Sequence, residues 1–120
     1  MSRFLRYALP PLLFAGLIFF LSSRSSLPAP AVSGFDKLAH LCEYGAFGLL
    51  LARGLGGYGM TTRIAVALAA VVASAYGVSD ELHQSFVPGR SVEVLDWLAD
   101  TIGGALGAAC WSWWAARARR

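Results

Sequence analysis

The sequence predicts an all-α membrane protein, a bundle of about four transmembrane helices with both termini on the cytoplasmic side. Hydrophobic residues make up 57% and charged residues 14% of the 120 positions. A soluble domain carries about 25% charged residues, so this chain lacks the polar side chains that a water-exposed surface needs. The mean hydropathy of +0.57 agrees. This length allows a single domain, residues 1–120.

Four apolar stretches define the helices, because each is close to the ~20 residues that cross roughly 30 Å of hydrocarbon. They cover residues 5–21, 37–55, 64–78 and 94–114, and residues 22–35 form a linker on the outer side. Pro10 and Pro11 lie inside the first stretch and predict a helix that is distorted or restarted there.

The first stretch has a rival interpretation as a secretory signal peptide. Arg3 and Arg6 precede an apolar core, and the small residues of APA at 29–31 are typical of a cleavage site. The gap after Leu21 is long, however, and a proline separates the two alanines. These two features favour a retained membrane anchor.

The distribution of charge sets the predicted orientation. Seven of the ten basic residues would share one side, which the positive-inside rule makes cytoplasmic: Arg3, Arg6, Arg53, Arg63, Arg117, Arg119 and Arg120. All seven acidic residues fall at or near the opposite side: Asp36, Glu43, Asp80, Glu81, Glu93, Asp96 and Asp100. The pattern predicts a multi-pass protein of the inner (plasma) membrane. The net charge of +3 comes without a basic stripe interleaved with aromatic residues, so no nucleic-acid partner is expected.

Small residues in the last stretch favour close helix packing. They are spaced as two small-xxx-small pairs, Gly103/Gly107 and Gly104/Ala108. Packing within one chain is the simpler interpretation, and a homo-oligomer seam is the alternative. Cys42 and Cys110 would lie at opposite depths, so we expect two buried cysteines and no disulfide between them.

The second stretch carries the first group of ionisable residues at its outer end. Asp36, His40 and Glu43 recur at i, i+4 and i+7, within one face of a helix, and Tyr44 flanks that face. Such groups are costly in a membrane unless they have a partner, water or a function. Asp36 alone also has a structural interpretation as the N-cap of its helix.

The third stretch leads into a second group if its helix continues to residue 84. Tyr76, Asp80, His83 and Gln84 would then share a face, and Glu81 would point elsewhere. The following Pro88-Gly89 pair predicts a turn that leaves Arg90 near the membrane surface. There Arg90 would bind a phosphate or carboxylate, or form a salt bridge with a neighbouring acid.

The fourth stretch contributes the third group. Ser91 is a candidate N-cap, and Asp96 and Asp100 follow one helical turn apart on a common face. Two carboxylates so placed need a cation, a shared proton or a basic partner. The helix ends would together form one outward-facing polar pocket, which contains His40, Glu43, Asp80, His83, Arg90, Asp96 and Asp100.

Two segments of the sequence resemble the VanZ-like family of small bacterial membrane proteins. They are DKLAHLCEYGAFGLLL at 36–51 and YGVSDELHQSFVPGRSVEVLDWLADTIGGALG at 76–107. The resemblance implies a four-helix membrane protein whose shared polar residues face one pocket. It carries over to Asp36, Lys37, His40, Tyr44, Asp80, Glu81, Gln84, Phe86, Pro88, Arg90, Asp96 and Gly103. Asp100 departs from the Asn that the family pattern has at that position.

The family takes its name from tolerance of glycopeptide antibiotics, particularly teicoplanin, so the resemblance implies a setting in the cell envelope. One hypothesis is a pocket that binds an anionic lipid headgroup or a cell-wall ligand without turning it over. The ligand-binding residues would be Asp36, Lys37, Tyr44, Glu81, Gln84, Arg90, Asp96 and Asp100. The expected partner is therefore a membrane lipid.

A second hypothesis is a lipid-modifying enzyme, in which the catalytic residues would be His40, Glu43, Asp80 and His83. A divalent cation such as Mg²⁺ or Mn²⁺, held by Asp80, Asp96 and Asp100, would fit the preference of hard cations for carboxylates. A proton-coupled transporter is the weakest hypothesis, because the inner half of the sequence offers no ionisable relay. The sequence alone does not separate binding from catalysis.

Overall fold

The computed structural model describes residues 1–25 and 34–120, which form helices and turns without any β-strand. A π-helical turn, Phe4–Ala8, leads into α1 at Leu9–Ser22, and the chain continues as α2 at Phe35–Gly57, α3 at Thr62–Gln84 and α4 at Val94–Ala118. The all-helical prediction is confirmed. The APA sequence at 29–31 and most of the predicted outer linker lie outside the described residues.

The two prolines of the first stretch mark the point at which the helix changes type. Pro10 and Pro11 occupy the first turn of α1, directly after the π-helical turn. A proline has no N–H to donate to the preceding turn, and its fixed φ suits the start of a helix. The sequence predicted a helix that is distorted or restarted at these prolines, and the structure shows a distortion, since the helix continues but changes type.

The N-terminal caps of α2 and α4 differ from the predictions. α2 begins after Gly34, whose φ of 79° is a left-handed conformation that glycine adopts without strain, and Asp36 lies in the first turn instead of at the cap. α4 begins after Glu93, so Ser91 is not its N-cap. Asp36 and Glu93 still lie at the N-terminal ends of their helices, where the positive end of the helix dipole stabilises a negative charge.

α3 continues past the predicted end of its span to Gln84. The extra helical turns place Asp80, Glu81 and Gln84 on the buried face of the bundle. The second polar group was predicted on the condition that this helix continues to residue 84, and it does. Glu81 does not point away from that group, however, because the chain folds back and α4 packs on this face of α3.

Close contact between α2 and α4 holds the bundle together. A Cβ atom built at Gly107 would overlap the carbonyl of Gly45, and one built at Gly103 would overlap the carbonyl of Leu41. The two helices approach until backbone meets backbone, which only glycine allows. The small residues of α4 therefore serve packing within one chain, as the simpler interpretation of the sequence predicted.

The two ends of the bundle differ in polarity. At one end a core of small and aromatic residues fills the interior: Ala52, Ala65, Ala69, Ala108, Trp111 and Ala115. Basic side chains bind backbone carbonyls at the same end, where Arg3 donates to Gly57 O at 2.8 Å and Arg53 donates to Arg6 O at 2.8 Å. The buried acidic residues gather at the opposite end, which we call the acidic end.

The outer surface of the bundle is apolar. Large side chains such as Leu13, Val71 and Leu106 are more than half exposed. Two stretches, Phe4–Ser22 and Thr62–Gln84, are long and apolar enough to cross a bilayer, which points to a membrane protein. Cys42 and Cys110 are unpaired, as expected, but both are exposed on this surface and not buried.

Candidate functional site

A cavity of about 560 Å³ opens at the acidic end of the bundle. α1 supplies an apolar wall, whereas α2, α3, the turn after α3 and the start of α4 supply polar side chains. The apolar wall consists of Phe14, Leu17, Ile18 and Leu21. The ionisable and amide lining consists of Asp36, His40, Glu43, Asp80, Gln84, Arg90, Glu93 and Asp96. The cavity therefore combines an apolar side with a charged side.

Lys37 joins α2 to α4 at the acidic end of the bundle. Its Nζ lies 2.7 Å from Oδ2 of Asp36 and 2.6 Å from Oδ1 of Asp96, and it also contacts Oε2 of Glu93. One ammonium thus forms salt bridges with three carboxylates. We call Lys37 and these three acids the lysine cluster. The lysine side chain is 29% exposed, so this cluster lies near the surface of the bundle end.

His40 lies deeper, between two carboxylates of α4. Its Nδ1 is 2.7 Å from Oδ1 of Asp100, a hydrogen bond between the imidazole ring and the carboxyl group. Its Nε2 is 3.7 Å from Oδ2 of Asp96. Asp100 is fully buried, and 12% of the His40 side chain is exposed. An imidazole oriented by a buried carboxylate is equipped for proton transfer or for metal binding.

Several buried carboxylate oxygens have no hydrogen-bond partner among the described residues. Glu81 accepts the backbone N–H of Glu93 at Oε2, 3.1 Å away, but its Oε1 is unpartnered. Oδ2 of Asp100 and Oε1 of Glu43 are unpartnered as well. Because an unsatisfied buried acceptor costs free energy, these atoms indicate a ligand, a cation or a proton.

Arg90 lines the cavity without a carboxylate partner. Its Nη1 donates to the carbonyl of Arg24 at 3.3 Å, and no salt bridge to it occurs within residues 1–25 and 34–120. Of the two interpretations of this residue, the salt bridge with a neighbouring acid is absent from the described part of the chain. The guanidinium remains available to an anion.

Five residues that were predicted to belong to the site do not line the cavity: Lys37, Tyr44, Glu81, His83 and Asp100. His83 stacks on Phe19 of α1 with ring centroids 4.3 Å apart, and its Nδ1 lies 3.2 Å from Oγ of Ser22. Tyr44 is fully buried against Phe47. Both side chains therefore support the bundle next to the site, since α1 covers the face of α3 that carries His83.

A family model for VanZ/LLP1 matches residues 3–115. The chain belongs to the VanZ/LLP1 family. The resemblance predicted from the sequence is confirmed, and the match extends beyond the two quoted segments to include α1 and nearly all of α4. No curated protein and no solved structure matches the chain.

In this VanZ/LLP1 chain the two segments that carry the resemblance supply every ionisable residue of the cavity, because they contain the parts of α2, α3 and α4 that lie at the acidic end. The apolar wall from α1 was missed in the sequence. Its residues Phe14, Leu17, Ile18 and Leu21 recur at i, i+3, i+4 and i+7, a spacing that places them on one helix face. That spacing in the sequence could have indicated an apolar helix face directed at the site.

The predicted set of metal ligands also changes. The sequence suggested Asp80, Asp96 and Asp100, but Oδ1 of Asp96 is already 2.6 Å from the Lys37 ammonium. Among the described residues, two other groups bring three ligand atoms within 4.8 Å of one another. One is the set of three acids in the lysine cluster. The other combines His40, Glu81 and Asp100.

Proposed function

We propose that this VanZ/LLP1 protein binds the anionic headgroup of a membrane lipid, or a similar cell-wall ligand, in the cavity at the acidic end of the bundle. One observation carries the proposal: Arg90 has no carboxylate partner among the described residues and lies in a cavity whose other side is an apolar wall from α1. A ligand with a charged head and an acyl chain has the same two parts.

The apolar wall argues for a lipid over a soluble anion. Phe14, Leu17 and Leu21 line the cavity from α1, and the neighbouring side chains Leu13 and Phe20 are more than half exposed on the outside of the same helix. An acyl chain that follows α1 would therefore stay in an apolar environment on both sides. A free phosphate has no apolar part that could pack against this wall.

The acidic residues of the cavity restrict the headgroup. Glu43 and Asp80 line the same space as Arg90 and would repel a ligand that carries negative charge alone. A headgroup that places its phosphate or carboxylate at Arg90 and a hydroxyl or ammonium at Glu43 and Asp80 avoids that repulsion. This pattern favours lipids whose anionic group is accompanied by a hydroxyl or an ammonium over lipids whose headgroup carries negative charge alone.

The charge distribution supports an outward-facing cavity in the plasma membrane. Seven of the ten basic residues lie at or beyond the helix ends opposite the acidic end, and short basic segments remain cytoplasmic. We infer four membrane spans with both termini inside. The cavity then opens at headgroup depth on the outer side, within the cell envelope.

A second candidate, a lipid-modifying enzyme, is supported by the pair of His40 and Asp100. The imidazole lines the cavity and is oriented by a buried carboxylate 2.7 Å away, as a general base would be. His83, the other predicted base, stacks on α1 outside the cavity. His40 therefore becomes the residue that distinguishes catalysis from binding.

Native mass spectrometry of the purified protein with a total lipid extract of a bacterial membrane tests both candidates. Binding predicts one retained lipid class, lost in Arg90→Ala and kept in Arg24→Ala, a matched arginine whose side chain lies outside the cavity. Catalysis predicts a lipid product that grows with time and is absent from His40→Gln. Retention of no lipid class, or equal retention by Arg90→Ala, would refute the binding proposal.

The family name also suggests a physiological setting, tolerance of teicoplanin, which a ligand site facing the cell wall would fit. Expression of the wild type in a sensitive bacterium should raise the teicoplanin concentration that stops growth. Arg90→Ala, at equal membrane abundance, should not raise it. Equal tolerance with the wild type and Arg90→Ala would show that tolerance does not depend on Arg90 in the cavity.

A further inference from the structure

Three side chains from three helices meet below the lysine cluster. His40 of α2, Glu81 of α3 and Asp100 of α4 each place one ligand atom within 4.8 Å of the other two. Glu81 is 6% exposed and Asp100 is fully buried. We call this set the inner triad. Atoms at such separations can bind one ion without a large movement of the backbone.

The inner triad has unused acceptors. Oε1 of Glu81 and Oδ2 of Asp100 are buried and have no hydrogen-bond partner among the described residues. No lysine or arginine forms a salt bridge with either residue in residues 1–25 and 34–120. Ionised together, these two buried carboxylates would place surplus negative charge in a poorly solvated interior, and a bound cation would neutralise it.

The lysine cluster contains a second group of three potential ligands, and its negative charge is neutralised in part by a lysine. Asp36, Glu93 and Asp96 also bring three ligand atoms within 4.8 Å, but the ammonium of Lys37 already contacts all three. A built-in cation therefore occupies that group. The inner triad has no such ammonium, and its imidazole adds a nitrogen ligand that the lysine cluster lacks.

We propose that His40, Glu81 and Asp100 bind one divalent transition-metal cation of the Mn²⁺ or Zn²⁺ class. Carboxylate oxygens alone would suit Mg²⁺ or Ca²⁺, whereas an imidazole combined with carboxylates suits Mn²⁺ and Zn²⁺. The ion would tie α2, α3 and α4 together at the acidic end. The inner triad shares His40 with the lining of the cavity, but ion binding does not require that the cavity binds a lipid.

Metal binding to the detergent-purified full chain tests the proposal. After removal of metal with a chelator, the protein is titrated calorimetrically with MnCl₂ or ZnCl₂, and bound metal is counted by mass spectrometry after dialysis. We expect one ion per chain and weaker binding of MgCl₂ and CaCl₂. His40→Gln and Glu81→Gln should each weaken the affinity by at least about tenfold.

His83→Gln is the matched control, because it removes the other histidine, which stacks on Phe19 outside the triad. It should bind the ion as the wild type does. The proposal is overturned if the wild type binds no ion above background, if both triad variants bind like the wild type, or if His83→Gln loses the ion to the same extent. Should His40→Gln not fold, the wild type and Glu81→Gln still decide the outcome.

Discussion

Nδ1 of His40 and Oδ1 of Asp100 lie 2.7 Å apart, although 60 positions separate the two residues in the chain. The hydrogen bond joins α2 to α4 at a depth where Asp100 is fully buried. It therefore links the packing of the two central helices to the chemistry of the cavity. Changes at either residue should affect stability and function together.

Asp100→Leu should destabilise the protein, because the His40 imidazole loses its buried hydrogen-bond partner. The expected loss is about 1–3 kcal/mol of the free energy of unfolding, measured from unfolding curves in detergent. Asp100→Asn keeps an acceptor oxygen and removes one buried negative charge, so its cost should be clearly smaller. If the two variants are equally stable, the hydrogen bond does not contribute as the structure indicates.

Lys37→Met should leave three carboxylates without their counter-ion. Breaking a fully buried ion pair costs about 3–5 kcal/mol, and the 29% exposure of Lys37 lowers the expected loss to about 1–3 kcal/mol. Adding Asp96→Asn should recover part of that loss, because it removes the most buried of the three charges. A double variant that is less stable than Lys37→Met would contradict this account of the lysine cluster.

Gly107→Ala should separate α2 from α4, since its Cβ would overlap the backbone of Gly45. The expected destabilisation is about 1–3 kcal/mol or more. Gly16→Ala is the matched control, because a Cβ at Gly16 has no neighbour within 4 Å, and alanine there should be neutral or slightly stabilising. Thermal unfolding of both variants, followed by circular dichroism, provides the comparison.

The proposed topology predicts which positions reagents can reach in intact cells. After replacement of Cys42 and Cys110 by alanine, a cysteine at Ser85 should react with a membrane-impermeant maleimide. Ser85 is exposed in the turn that follows α3. A cysteine at Arg119 should react only after the membrane is permeabilised. The reverse pattern would invert the proposed orientation and place the cavity on the cytoplasmic side.

Sequence periodicity determined which residue types would meet at the acidic end. Asp36, His40 and Glu43 share a helix face by spacing alone, and that prediction needs no neighbouring helix. The apolar stretches likewise defined the helices, and the paired prolines marked the distortion of the first helix. These are local properties, because hydrogen bonds within one helix fix them whatever the rest of the chain does.

Tertiary structure decided which of those residues became partners. Glu81 turned inward because α4 packs on its face of α3, and His83 faced α1, although both residues lie in the same short segment. Lys37 of α2 reached Glu93 and Asp96 at the start of α4 because glycines let the two helices come close. Spacing along one helix fixes the direction of a side chain relative to that helix, whereas the side chain that lies opposite depends on helix packing between distant parts of the chain.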